Sequence, residues 1–337
     1  MKNIFYFSLT LLFSLWTTFS GAQEMTKQKS ATNKAGLTPE MVDITAVISG
    51  SGGSLGIYQF DGIGFKTIRP IVATSGDTFQ FKLPKEDIQI YYLGKGSKQK
   101  RPMVVGPDPV IHLVGALKNM RQTTFVVSDF NQQYDAEMQQ ISNNKREQRN
   151  IENQMRRAGN DGKKMEELRQ KMVALDQRKQ EQVNKLQGEN PFLAKIASLD
   201  NFQSFATDTK NHPNVLEHYI QEFFSAVDLS DPQFDPITYT FEVFREYANT
   251  IASVGLPADK VKEIFDMQLA NIPPNGQTYK HALGGIVLAL QQRSHPAFSE
   301  YAGRFYEKYK GEQQPHTLAL GEQIKSAKNL MVGGVAP

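Results

Sequence analysis

The feature that most restricts the fold is a change of punctuation near residue 129. Glycine and proline cluster at residues 50–53, 62–64, 94–96 and 106–109. Residues 130–187, in contrast, contain no proline and no glycine besides Gly159 and Gly162. Glycine accepts backbone angles that other residues avoid, and proline lacks an amide donor, so both end regular elements. Dense punctuation permits short strands, and its absence permits long helices. The loops of the first region are too short for the crossover helices of an alternating α/β fold. The expectation is therefore α+β: a small antiparallel β-sandwich or barrel-like domain at residues 39–128, then a helical hairpin and a helical region.

The hydrophobic period supports that division. In residues 78–83, Phe79, Phe81 and Leu83 fall on one side and Thr78, Gln80 and Lys82 on the other, as a half-buried strand requires. Residues 88–93, 110–114 and 123–127 are short β-branched or aromatic runs, and their spacing predicts about seven or eight strands. From residue 129 the period becomes helical. Tyr134, Met138, Ile141, Ile151 and Met155 lead to a turn at Ala158-Gly159-Asn160-Asp161-Gly162. Met165, Leu168, Met172, Leu175, Val183 and Leu186 then continue the stripe. This reads as a charged antiparallel hairpin over residues 129–190, weakened on its first arm by Lys145 and Gln148 at apolar positions. Residues 191–326 read as successive helices of about 10 to 16 residues. Pro257, Pro296 and Pro315 stand where helices start, and Gly255 and Gly311 near where they stop. No fixed repeat period supports a solenoid.

The amino terminus carries an address. Lys2 supplies a positive charge, residues 4–19 are apolar apart from Ser and Thr, and Ser20-Gly21-Ala22 offers small residues for cleavage after Ala22. Residues 1–22 read as a signal peptide and 23–38 as a polar, flexible leader. The apolar run is short for a membrane span and lacks a basic flank after it. The expected location is the periplasm, with no membrane attachment once the signal is removed. The whole chain of 337 residues has no cysteine, so packing alone must hold an exported protein together. A net charge of +3 is too small to argue for nucleic acid or an anionic membrane.

Catalytic motifs fail on context. Gly52-Gly53-Ser54-Leu55-Gly56 matches the G-x-S-x-G elbow of hydrolases, but that elbow joins a strand to a helix. Here both flanks read as strands, which makes a glycine-rich hairpin loop the simpler account. Gly94-Lys95-Gly96-Ser97-Lys98 resembles a phosphate loop but does not open a helix. Lys95, Lys98, Lys100 and Arg101 read as a solvated basic tip. His112, His212, His218, His281, His295 and His316 include no pair at the spacing that brings two imidazoles to one helix face. Asp228, Asp231 and Asp235 lack the glycine and alternation of a calcium loop and read as turn and cap residues. No catalytic, cofactor-binding or metal-binding residue is assigned, and no cofactor is expected. The methionine-bearing stripe of the hairpin is a candidate surface for a protein partner or a homodimer, against the simpler reading that it packs on the neighbouring helices.

These pieces together bear a family resemblance. A β domain, a charged helical segment and then Gly188-Glu189-Asn190-Pro191-Phe192 resemble the N-terminal region of TlpA-like, AhpC/TSA-type thioredoxin-fold thiol–disulfide oxidoreductases. Lys328-Asn329-Leu330-Met331-Val332-Gly333-Gly334-Val335-Ala336-Pro337 looks like the start of the thioredoxin-like domain, at residues 327–337. In that family a Val-Gly-x-x-Ala-Pro stretch continues into the first core strand, and a Cys-x-x-Cys motif follows. The resemblance implies a non-catalytic accessory region that positions, or recruits partners for, a redox domain beyond Pro337. Disulfide exchange needs a thiolate, which these residues do not supply. The rival expectation is a free-standing periplasmic or cell-surface binding or structural protein.

Overall fold

The computed structural model describes residues 40–85, 87–96, 100–207 and 211–331. The expected signal peptide (1–22), the leader (23–38) and the stretch 332–337 lie outside the described residues. The division into strands first and helices after is as the punctuation requires. The strands are β1 (Met41–Ser49), β2 (Ser54–Phe60), β3 (Phe65–Val72), β4 (Thr78–Pro84), β5 (Gln89–Gly94), β6 (Arg101–Val105), β7 (Val110–Ala116) and β8 (Thr124–Val127). They form two four-stranded sheets, ordered β4-β1-β7-β8 and β3-β2-β5-β6.

Alternation sends one side of each strand into a shared core. In β1, Val42, Ile44, Ala46 and Ile48 are buried while Asp43, Val47 and Ser49 are exposed. In β4, Phe79 and Leu83 are buried as expected. These residues meet Leu55, Ile57, Leu93, Met103 and Val105 of the other sheet, so the architecture is a sandwich. Two details depart from the sequence reading. The β1–β7 pair is parallel, running from Asp43↔Val110 to Ser49↔Ala116. Parallel neighbours need a long connection, and here strands β2 to β6 provide it. Residues 50–53 are accordingly no hairpin loop, since they carry the chain from one sheet to the other.

The helices are α1 (Asp129–Ala158), α2 (Gly162–Glu189), α3 (Pro191–Ser198), α4 (Val215–Glu222), α5 (Tyr239–Ser253), α6 (Ala258–Ala270), α7 (Gln277–Gln292), α8 (Phe298–Tyr309) and α9 (Pro315–Met331). Residues 327–331, expected to open a further domain, belong to the end of α9. α1 and α2 make the hairpin, and its stripe divides. Tyr134 and Ile141 join the large helical core, whereas Ile151, Leu168, Met172 and Leu175 form a small core nearer the turn. Lys145, which interrupts the stripe, pairs with Asp200 at 3.4 Å and with Glu246.

The large core also takes in Ile90 and Val104, from the face of β5 and β6 that points away from the sandwich. The β3-β2-β5-β6 sheet is thus covered on both sides. α7 lies at the centre of the helical layer, and nearly all of its residues from Thr278 to Leu290 are buried. Its Gly284 and Gly285 are there for want of space. A Cβ on Gly285 would stand 2.5 Å from the Phe241 carbonyl oxygen of α5, and one on Gly284 1.9 Å from that of Gly62.

Asn131 ties the hairpin to the sheet edge. Its side chain donates to the Val104 carbonyl at 2.8 Å and accepts from the Val104 amide at 2.8 Å. A fully buried amide therefore takes the place of a neighbouring strand along β6. Ser128, at φ 129°, caps α1 by accepting from the Asn131 amide at 3.2 Å and donates its own hydroxyl to Asp108.

Candidate functional site

The motifs considered from sequence disperse. Ser54 opens β2 and hydrogen-bonds to no histidine among the described residues. Gly94 ends β5, while Ser97 and Lys98 lie outside the described residues. The basic tip is not a uniform patch. Lys95 donates to the Ser51 carbonyl at 2.7 Å, and Arg101 is buried, paired with Asp135 and stacked over Phe125. Asp231 caps the turn at Gln233 and pairs with Lys195 at 2.5 Å, and Asp235 accepts from the amide and hydroxyl of Thr278 at the start of α7. These aspartates are the turn and cap residues expected. His112 lies half-buried between inward-facing Ile111 and Leu113. His212 and His218, six positions apart, bring their rings within 5.1 Å, with Glu222 at 3.0 Å from His212. No group of three or more ligands suited to a metal ion occurs among the described residues.

The first constellation that sequence reasoning missed is an ionic knot between the β2–β3 turn and the helices. Phe60 and Phe65 pair across the hairpin, and the Asp61 amide closes the turn onto the Gly64 carbonyl at 2.8 Å. The turn, with Gly62 at φ 77°, lies directly against α7 and α9. Asp61 accepts from Lys280 of α7 and faces His316 of α9 at 3.1 Å. Lys280 also reaches Glu312 at 2.6 Å and sits 4.6 Å from the Tyr309 ring centre. Lys280 is 2% exposed. Burial works to raise the Asp61 pKa, but His316 and Lys280 outweigh it and hold the carboxyl below its ordinary value. Lys280, buried between two carboxylates, ties the turn to α7 and to Glu312. Next to it, His281 is buried against Phe60 at 5.7 Å, and burial pulls its pKa down to about 4, which keeps the imidazole neutral.

The second is a cleft of about 700 Å³ where sheet, hairpin root and helical layer meet. One wall is aromatic: Phe60 packs edge-on against Phe65 at 5.4 Å and Phe241 at 4.8 Å, and Phe65 against Tyr92 at 4.9 Å. The Tyr92 hydroxyl is 2.7 Å from that of Thr238, and burial pushes its pKa up to about 12. The charged lining consists of Lys100, Arg101, Arg121, Asp135 and Glu242. Both carboxylates are committed, Asp135 to Arg101 and Glu242 to Arg245. The Nε of Arg101 is buried without a hydrogen-bond partner. Lys100 lies 4.5 Å from the Phe65 ring centre and 4.6 Å from that of Tyr58. Arg121 is exposed and makes no ion pair among the described residues.

A larger recess of about 1070 Å³ opens beside Asn190 and Pro191, the turn quoted in the family resemblance. Three of its polar side chains are already engaged: Lys195 with Asp231, Asp235 with α7, and Asn190 with the Leu193 amide. The junction cleft is the richer site, since it joins an aromatic wall to cations that exceed its carboxylates.

Comparison of the chain with protein-family models, with curated proteins and with solved structures finds no match.

Proposed function

We propose that this chain is the non-catalytic accessory region of an exported, periplasmic thiol–disulfide oxidoreductase of TlpA-like type, positioning a thioredoxin-like domain that follows Pro337. The observation that carries the reading is the anchoring of α9. Leu320 and Ile324 are buried in the large helical core, and His316 faces Asp61 of the β2–β3 turn. α9 is thereby pinned to both the sheet and the helical layer, a firm base for a domain that follows. The absence of cysteine assigns these residues a supporting role, since disulfide exchange proceeds through a thiolate. The ionic knot supports the same role, being built for rigidity.

Sequencing the gene past the codon for Pro337 tests this. The expected result is an open frame running into Asp-Phe and, some tens of residues later, Cys-x-x-Cys. An immediate stop codon would overturn it and leave the free-standing binding protein as the better reading. Amino-terminal sequencing of the mature protein tests export separately: Gln23 is the expected first residue.

A further inference from the structure

We propose that the junction cleft binds a neutral, largely apolar molecule that donates hydrogen bonds through hydroxyl groups, such as a phenol or a hydroxylated polycycle. The inference is independent of whether a redox domain follows Pro337.

The volume of about 700 Å³ lies within the range of small-molecule sites, which combine apolar walls with a few converging polar groups. Ile63, Phe65, Pro102, Met138 and Leu288 supply much of the apolar lining. Phe65 remains 39% exposed on β3. A ring lying in the cleft would take apolar surface out of water on both sides of the contact.

The charges point to a neutral occupant. Cations of the lining outnumber its carboxylates, but the inner ones are engaged within the fold. Lys100 donates to the Gly96 carbonyl at 2.7 Å and lies over the Phe65 and Tyr58 rings. Arg101 is buried and paired with Asp135. Arg121 is exposed to solvent, where a single charge contributes little. An anion would meet the carboxylates of Asp135 and Glu242 without a desolvated cation of its own. A cation would meet three basic side chains.

What the cleft offers is hydrogen-bond acceptors. Arg101 occupies Oδ2 of Asp135, and Arg245 occupies Oε2 of Glu242. The second oxygens, Oδ1 of Asp135 and Oε1 of Glu242, accept no hydrogen bond among the described residues. A carboxylate has about four acceptor positions, so each can take a hydroxyl without giving up its arginine. Glu242 stands beside the Tyr92 and Thr238 hydroxyls, which lie 2.7 Å apart and satisfy each other. Burial, with a smaller push from the Glu242 charge, raises the Tyr92 pKa to about 12. Oε1 of Glu242 is therefore the acceptor for the first hydroxyl of the ligand, and Oδ1 of Asp135 for a second.

The test follows displacement of the neutral fluorescent probe N-phenyl-1-naphthylamine from the purified full chain at neutral pH. The expected result is saturable one-to-one binding of the probe and its displacement by 2-naphthol. The methyl ether, 2-methoxynaphthalene, should compete about tenfold less well, as loss of a hydrogen bond to a charged acceptor implies. The anion 2-naphthoate should compete less well than the ether. Glu242→Gln should reduce the preference for naphthol over its ether to about twofold, and Phe65→Ser should weaken both. Both substituted side chains reach solvent, so an unchanged urea midpoint is expected and is to be checked. Absence of saturable probe binding to the wild type would overturn the proposal, as would equal competition by the ether or stronger competition by the naphthoate. An unchanged preference in a folded Glu242→Gln variant, or unchanged affinities in a folded Phe65→Ser variant, would overturn it as well. The wild-type series decides by itself if either variant fails to fold.

Discussion

The two sheets of the sandwich have the same number of strands and share one core, but they differ on their other faces. Among the described residues nothing covers the far face of the β4-β1-β7-β8 sheet: Val47, Val114 and Val126 are 37%, 45% and 55% exposed. Behind the β3-β2-β5-β6 sheet lies the helical layer, and there Ile90 and Val104 are almost completely buried. A sheet covered on one side can tolerate substitutions on the other; a sheet covered on both sides cannot. The difference also locates the cleft. It forms where the covering layer meets the doubly covered sheet imperfectly, leaving a few aromatic and charged side chains around a gap. Among the described residues the outer sheet has no second layer, and so no such junction.

The comparison can be broken most severely at the tie that holds the helical layer to the inner sheet. Asp61→Ala should cost about 3–5 kcal/mol in urea unfolding, the usual loss when one partner of a buried ion pair is removed. The pH dependence carries a further check. Asp61 titrates below its ordinary value in the folded protein, so its contribution is complete above about pH 4 and is lost as pH falls through the folded pKa. The variant should lose less stability than wild type over that acid range.

His281 sharpens the comparison at a higher pH. Its folded pKa of about 4 lies below the ordinary 6.5, so the unfolded chain binds the extra proton between those values and stability falls as pH drops from 6.5 to 4. The full effect is about 3 kcal/mol. His281→Leu should flatten this window in urea unfolding measured at successive pH values, and an unchanged slope would show that the layer admits a charged imidazole.

At the free edge of the inner sheet, Asn131→Ala leaves the amide and carbonyl of Val104 without their side-chain partner. A loss of about 2 kcal/mol is expected, with faster hydrogen exchange at the Val104 amide. The smallest test is a matched pair. Ile90→Val on the covered face should cost about 1 kcal/mol, while Val114→Ala on the bare face should change stability by less than about 0.5 kcal/mol. Equal costs would contradict the assignment of one bare and one covered sheet.

Part of this contrast was legible. Residues 88–93, apolar or aromatic at every position except Gln89, differ from the strict alternation of 78–83, and a run with few polar positions is what a doubly covered strand needs. The aspartates at 228, 231 and 235 could be placed as caps because capping is local and is written within a few residues. The knot was harder to see. Lys280 and His281 stand out in an apolar helix, but their partner Asp61 is 219 positions from Lys280, and no local signal joins them. The cleft was legible only in fragments: Lys100 and Arg101 were visible as a basic tip, yet one lies against aromatic rings and the other is buried with Asp135.

The features already written in the linear chain are local: where strands stop, where helices run, which faces are apolar, and that these residues offer no thiol. Glycine, proline and hydrophobic period decide these because they act over a few residues of chain. The parallel pairing of β1 with β7, the covering of one sheet by the helices, and the convergence of Asp61, Lys280 and His316 emerge only from the assembled fold. Those outcomes follow from matching whole faces for shape and charge across the fold, and a linear pattern of residues carries the faces but not their pairing.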